Sequence, residues 1–408
     1  MEQSWSSKFI MALSRGVSGV FIVAARRTAF GTYGGKLKDF TSTDLGTIAA
    51  QGALEAGGVN PELINSVVFG NVIQSSADAA YIARHIGLRV GVPLEVPALT
   101  VNRLCGSGFQ AVVNGAQEIE LGESSIVLVG GSENMTQAPY AVRNIRFGTK
   151  LGSDIKLEDT LWAGLTDMHI KTPMGITAEN LAVKYNISRE DCDNFALASQ
   201  TRWQKAFEEG AFKAETVPMK VKGKKGEEIF ERDEHPRLAP AAALAKLPPV
   251  FKKNGTVSAG NASGVCDGAA ALILASEAAV KKHNLTPLAR LVSYGISGCD
   301  PNIMGIGPVP SSKAALKAAG KELKDMDLTE VNEAFAAQSL AVIKELGLNP
   351  EITNACGGAI ALGHPLGASG ARITAHLAHE LGRKNARFAL GSACIGGGQG
   401  ITVILEKA

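Results

Sequence analysis

Short apolar runs alternate with stretches of mixed polarity along the first third of this chain. VFIVAA (residues 20–25) has the unbroken apolar character of a buried strand. A polar, Gly-rich loop through Gly35 follows. Leu45, Ile48, Ala49 and Leu54 then fall on one face of a helix that starts near Thr43 and stops at Gly57-Gly58. The strand SVVFGNVI (66–73), a helix from about Ala79 to Leu88, an extended run with Leu99, Val101 and Leu104, a helix carrying Phe109, Val112, Val113, Ala116 and Ile119, and the strand IVLVGGSE (126–133) complete the unit. Strands alternating with helices predict an α/β layered fold with parallel pairing.

From about Asn134 to Gly255 the pattern shifts to long polar helices (178–210), a charged stretch and a Pro-interrupted run (236–249), which reads as an inserted lobe. Strand and helix character returns at 256–276, and LARLVSYGI (288–296) opens a last region that repeats the first. Its helix PSSKAALKAAG (310–320) leads to the strand DLTEVN (327–332), a helix over 333–346, the stretch GGAIALGHPLGASG (357–370), a helix over 371–381 and FALGSACIGGG (388–398). Asn71 precedes Cys105 by 34 positions and Asn332 precedes His364 by 32, and the helix after each turn ends in Glu-Leu-Gly, at 120–122 and at 380–382. Two copies of one α/β unit are the economical reading. The expected organisation is an N-terminal half over 17–134 plus 256–284, a loop domain over 135–255 and a C-terminal half over 285–408.

The repeat changes the meaning of single residues. Cys105 lies where β-formers give way to Gly106, Ser107 and Gly108 before a helix, so the helix N-terminus should favour its thiolate. A buried structural cysteine is the plain alternative. Gly106, Gly108 and Ala111 also fit a dinucleotide fingerprint closed by Glu133, with a spacing to the acid longer than the roughly 20 residues usual. If the copies pack about a pseudo-twofold axis, Cys105 and His364 occupy equivalent turns and meet as nucleophile and base. Cys394, between a buried strand and Gly396-Gly397-Gly398, should reach the same face.

Composition narrows the class. The 408 residues, 45% hydrophobic and 20% charged, describe a globular chain too long for one ordinary core. A net charge of +2 and the absence of a basic stripe give no reason to expect nucleic acid. The basic cluster Lys220, Lys222, Lys224 and Lys225 reads as a solvated loop that an anionic cofactor tail could use. Six scattered cysteines without a C-x-x-C pair suggest a reducing compartment. His376 and His379 match no zinc motif and read as helix-surface histidines. No apolar run is long enough to span a membrane. The first 18 residues hold Lys8, Arg15, five serines and one acid, as a mitochondrial leader would, and the chain does not end in Ser-Lys-Leu.

Leu104-Cys105-Gly106-Ser107-Gly108, Asn332-Glu333-Ala334-Phe335-Ala336, Gly363-His364-Pro365 and Cys394-Ile395-Gly396 together resemble, in order, the four active-site blocks of the thiolases. AGNASG (259–264) is similar to their pantetheine-binding loop. DEHPR (233–237), CDPNIMGIGPVP (299–310) and GTKLGSDIKLEDTLW (148–162) look closest to the mitochondrial β-oxidation branch, and Pro173-Met174-Gly175 stands where the acetoacetyl-CoA-forming branch usually has His-Met-Gly. The resemblance implies a thiolase-like α-β-α-β-α fold and cleavage of 3-oxoacyl-CoA by CoA in the mitochondrial matrix. Cys105 would be acylated, His364 would take its proton, and Cys394 would protonate the departing enolate. Oxyanions would be held by His364 with an Asn332-bound water, and by the N–H groups of Cys105 and Gly396. Arg237 would meet the CoA nucleotide, Ser263 the pantetheine arm, and Met174 the acyl chain. It further implies CoA and its thioesters as partners, no metal or redox cofactor, and a homodimer or homotetramer.

An acetoacetyl-CoA-forming thiolase, acyl-CoA hydrolysis, a non-catalytic acyl-CoA carrier and a dinucleotide-dependent dehydrogenase are the alternatives. Two residues depart from the family's pattern: Cys356 replaces an asparagine before Gly357, with looser support of the His364 loop expected, and Pro240 stands where a hydroxyl is usual, with weaker CoA binding expected.

Overall fold

The computed structural model describes residues 12–223 and 226–408; most of the proposed leader and two members of the basic cluster, Lys224 and Lys225, lie outside the described residues. Among the described residues the central sheet has twelve strands, nine of them in one continuous path: β1 (Val20–Thr28), β2 (Ser66–Gly70), β3 (Ala98–Val101), β4 (Ile126–Asn134), β5 (Cys266–Ser276), β6 (Ala289–Gly298), β7 (Leu328–Val331), β8 (Phe388–Ile395) and β9 (Gln399–Lys407). Their order is β7-β8-β9-β6-β1-β5-β4-β2-β3. The two halves join where β6 meets β1 over only two residue pairs, Ala289 with Ile22 and Arg290 with Phe21. Outward from that junction the order β1-β5-β4-β2 mirrors β6-β9-β8-β7, which is the internal repeat in three dimensions.

The pairing is mixed, against the expectation of a parallel sheet. β4, β2 and β3 pair in parallel, as do β7 and β8, while β5 runs antiparallel to β1 and β4 and β9 antiparallel to β8 and β6. The reason is connectivity. The turn from Ile395 to Gln399 is too short for a parallel crossover. Gly397 and Gly398 make that reversal at φ of 78° and 81°, where a side chain would be strained.

Seven helices matter for the site: α1 (Ser42–Gly57), α2 (Ser107–Glu120), α3 (Met174–Tyr185), α4 (Arg189–Glu208), α5 (Pro308–Ala319), α6 (Ala336–Leu346) and α7 (Ser369–Arg383). α1 covers β1, β4 and β5 on one side of the molecule, and α5 covers β6 and β9 on the other. Between them α2 and α7 face each other, with Phe109, Val112, Ala371 and Ile373 in a core shared by both halves. They approach so closely that a Cβ on Gly108 would stand 2.4 Å from the Ala371 nitrogen, and one on Gly370 2.2 Å from that of Phe109. Packing at Gly108 leaves no room for a pyrophosphate, so the dinucleotide reading fails.

The helix ends follow local chemistry. Thr41 and Asp44 form a capping box at the start of α1, and Gly58, left-handed, ends it where the Gly57-Gly58 pair predicts. Of the inserted stretch, α3 packs on α6, and α4 on α6 and on the short helix Ala359–Leu362. That lays the lobe over the turn carrying His364.

Candidate active site

Cys105 occupies a tight turn between β3 and α2. Ser107 Oγ donates to the Leu104 carbonyl at 2.7 Å and accepts from the Arg103 N–H at 2.8 Å, which fixes the turn from inside. Leu104 adopts a left-handed φ of 45°, a strained position for leucine and the kind of strain that collects at functional sites. The Cys105 side chain packs beside Ile73, Met135, Leu161 and Leu366. Burial pushes its thiol up to about 11, and the charge of Glu133 adds to this, against the N–H groups of Gly396 and of Cys105 itself. The expected preference for thiolate is therefore reversed. A helix end stabilises the anion less than this half-buried turn, away from water, destabilises it.

His364 is buried in the equivalent turn of the second half. Its backbone N–H donates to the Gly264 carbonyl at 3.0 Å, tying it to the 259–264 loop. Ser369 Oγ donates to the Pro365 carbonyl at 3.0 Å and lies 2.5 Å from His364 Nδ1. With the hydroxyl proton committed, Ser369 accepts from Nδ1–H, and the lone pair sits on Nε2. Asn332 Nδ2 approaches that nitrogen at 3.3 Å, while Asn332 Oδ1 is buried without a protein partner. Burial lowers the imidazole pKa to about 3, with the Arg372 guanidinium adding to the effect. The ring is neutral at physiological pH and can accept a proton.

Cys394 is fully buried on β8 beside Met304 and Ala334. Burial holds its thiol well above the ordinary value, with the sulfurs of Cys105 and Cys299 next in effect. It is a protonated group at the same site. Gly396 leaves open a small space: a Cβ there would come 3.2 Å from Leu104 Cδ1 and 3.4 Å from Met174 Sδ.

The remaining positions lie around this centre. The Ser263 N–H donates to the Ala334 carbonyl at 3.0 Å and the Ala336 N–H to the Asn261 carbonyl at 2.9 Å, clamping the 259–264 loop against the Asn332 block. Met174 opens α3. Phe251 stacks on Trp162 with ring centroids 6.5 Å apart and meets Phe335 edge-on at 6.5 Å, forming an aromatic wall above the loop. Arg237 is exposed, with its backbone N–H on Gln200 Oε1 at 2.8 Å and, among the described residues, no ion pair. Pro240 is exposed at the start of the short helix Ala241–Ala245, which has no side-chain cap.

Three residues that the sequence reading gave no role here support the centre. Ser369 orients His364. Buried Glu133 accepts from the N–H groups of Val72 (3.1 Å), Ile73 (3.0 Å) and Gly367 (2.9 Å), joining the first half's Asn71 turn to the second half's His364 turn. His235 Nδ1–H donates to the Ala361 carbonyl (3.0 Å), and its ring fills the space beside Gly264, where a Cβ would meet Nε2 at 2.0 Å. Glu133 at a strand end and His235 in DEHPR were visible as residues, but their partners lie 234 and 126 positions away. Cys356 Sγ lies against Glu380 and Arg383, so the loop before His364 is held to the helix that follows it by these contacts.

The comparisons with known proteins bear on the whole arrangement. Family models described as "Thiolase, N-terminal domain" and "Thiolase, C-terminal domain" match residues 20–278 and 285–407. The chain belongs to the thiolase family. This thiolase is 66% identical over 398 residues to proteins named "3-ketoacyl-CoA thiolase, mitochondrial" from Bos taurus and from Homo sapiens, covering 97% of this chain and 100% of each relative. The crystal structure of human mitochondrial 3-ketoacyl-CoA thiolase superposes with a TM-score of 0.95 at 65% identity, covering 97% of this chain and 99% of that one. Its complex with CoA gives 0.94 at 64% identity, covering 97% and 98%.

Proposed function

We propose that this thiolase is a mitochondrial 3-oxoacyl-CoA thiolase of fatty-acid β-oxidation, releasing acetyl-CoA and a shortened acyl-CoA. The carrying observation is that the Cys105 and His364 turns are built into one core: just beyond them Gly108 packs on Ala371, where a Cβ would stand 2.4 Å from the Ala371 nitrogen, and Ser369 fixes the His364 tautomer. The names and identity of the relatives support the substrate class and compartment.

In the proposed cycle Cys105 Sγ adds to the β-carbonyl carbon as its proton passes to His364 Nε2. The new oxyanion on the β-carbon is held by the N–H groups of Cys105 and Gly396, and the thioester oxygen, which takes the charge as the Cα–Cβ bond breaks, is met by His364 and by a water on Asn332. The Cα–Cβ bond then breaks, its electron pair passing to the acetyl-CoA fragment as an enolate, and the Cys394 S–H returns a proton to carbon. Acetyl-CoA departs, leaving acyl-Cys105. The incoming CoA thiol gives its proton to the Cys394 thiolate, its sulfur attacks the acyl carbon, and the N–H groups of Cys105 and Gly396 hold that oxyanion. His364 finally restores the Cys105 proton. All bonds and protons balance without an electron acceptor, and CoA enters as a co-substrate.

The lobe over 135–255 would form the CoA-facing side, with Arg237 toward the nucleotide, Ser263 along the pantetheine arm and Met174 against the acyl chain. A homodimer or homotetramer is the proposed assembly. Among the described residues β3 is an edge strand paired only with β2, and Leu99 and Leu94 stand exposed there, a surface that a second copy would cover. Among the described residues, no helix is long and apolar enough to cross a membrane.

Intact mass and peptide mapping after incubation with acetyl-CoA, then with CoA, test the cycle. An acetyl group on Cys105 that CoA removes is expected; bound acetyl-CoA without an adduct would overturn it.

A further inference from the structure

Behind the His364 turn, three metal-ligating side chains converge from two elements. His376 and Glu380, one helical turn apart, project from the same face of α7, and Cys356 approaches from the loop before Gly357. All three are buried, and their Sγ, ring nitrogen and carboxylate oxygen lie within 4.8 Å of one another, with Cys356 Sγ 3.5 Å from Glu380 Oε2. The helix-surface reading of His376 is thereby corrected: the residue is 5% exposed.

We propose that Cys356, His376 and Glu380 form a structural site for a borderline-soft divalent cation of the zinc type. Thiolate, imidazole and carboxylate are the donors such an ion takes, and the 3.5 Å between Cys356 Sγ and Glu380 Oε2 matches the spacing of two ligands about 2.0–2.3 Å from a tetrahedral centre. The outer arrangement fits as well. Glu215 holds His376 Nδ1 at 2.7 Å, leaving Nε2 to face the cavity, and Arg27 Nε holds Glu215 at 2.6 Å. A cavity of about 20 Å³, lined by these three residues with Glu330 and Asn354, has room for one atom-sized guest. A water would complete the coordination.

Arg383 is the competitor. It pairs with Glu380 and places Nη2 3.8 Å from Cys356 Sγ, and its side chain is 31% exposed, so it can swing toward solvent as the ion enters. On binding, the Cys356 S–H that now donates to Glu380 would give up its proton to solvent, and the ion would take up the charge of that sulfur and of the carboxylate. It would also tie the loop before His364 to the helix after it, which gives the site a role in holding that turn, apart from the chemistry at Cys105.

The test uses the full-length protein, stripped with a chelator and titrated with Co²⁺ and Zn²⁺. One Co²⁺ per chain with an intense thiolate-to-cobalt charge-transfer band is expected, along with a Zn²⁺-dependent rise in Tm. Cys356→Asn should remove the band and weaken Zn²⁺ binding by roughly 100-fold or more. Should that variant fail to fold, Glu380→Gln is expected to weaken binding by about 10–100-fold while keeping the sulfur band. Absence of the band in the parent protein, or its persistence in Cys356→Asn, would overturn the proposal.

Discussion

The two glycine-rich turns that meet at the site descend from equivalent places in a repeated unit, yet they hold their reactive groups differently. The turn of the first half is fixed by its own backbone and by Ser107, and it leaves the Cys105 thiol free of side-chain partners apart from apolar neighbours. The turn of the second half is fixed by side chains: Ser369 on His364 Nδ1, Asn332 near Nε2, and Glu133 on the Gly367 N–H. A nucleophile has to move toward carbon and become acylated, so loose lateral support suits it. A base has to keep one tautomer and one direction through both halves of a cycle, so a fixed ring suits it.

The comparison breaks most sharply if either reactive group is dispensable. Cys105→Ala and His364→Ala should each lower kcat by ~10³-fold or more with an unchanged circular dichroism spectrum. Retained turnover in either variant would remove that residue from the cycle. Losing the orienting hydroxyl should cost less. In Ser369→Ala the imidazole can adopt either tautomer, and kcat should fall about 10–100-fold with little change in KM, as expected of an interaction made in the transition state. An effect confined to KM would make Ser369 a packing residue only.

The pH dependence separates the two kinds of support. Because the His364 pKa lies near 3, below the ordinary imidazole value, the ring stays neutral as pH falls from 8 to 5 and imposes no acid limb near 6.5. Glu133 differs in sign. Burial raises its carboxyl to about 7, opposed by its N–H donors, so it gains a proton as pH falls through that value and holds Gly367 less firmly. A limb in kcat near pH 7 that disappears in Glu133→Gln, with the rate of the variant flat and several-fold lower, is the expected result. A limb that persists in the variant would return the titration to another group.

What the sequence made legible follows the same division. Local signals were sufficient for the helix capped at Gly58, for the turn at Cys105 and for the order of strands in each copy, because each depends on residues within a few positions. Parallel pairing holds for β2, β3 and β4 and for β7 with β8 but not for β5 and β9, because strand direction depends on how a short turn and a long insertion return the chain to the sheet. The thiolate expectation for Cys105 failed because it counted the helix end and could not count the desolvation that Ile73, Met135, Leu161 and Leu366 impose. His376 looked like a surface residue because α7 lies between the sheet halves, and only tertiary packing against Glu215 buries its polar face.

The lobe offers a third manner of support and the smallest expected effect. Arg237 is exposed and held at its backbone, whereas Cys105 and His364 are placed by packed turns. A flexible guanidinium at the protein surface attracts a phosphate mainly by charge, and that attraction is screened by salt. Arg237→Ala should therefore raise the KM for CoA by a few-fold to about 10-fold, equivalent to roughly 1 kcal/mol. The difference from the parent protein should shrink as ionic strength rises. The fall should be confined to KM, since binding that is equal in ground and transition states leaves kcat in place. A fall in kcat at saturating CoA would mean that the lobe also shapes the reacting centre. The separation between a fixed floor and a compliant lobe would then have to be given up in favour of one coupled site.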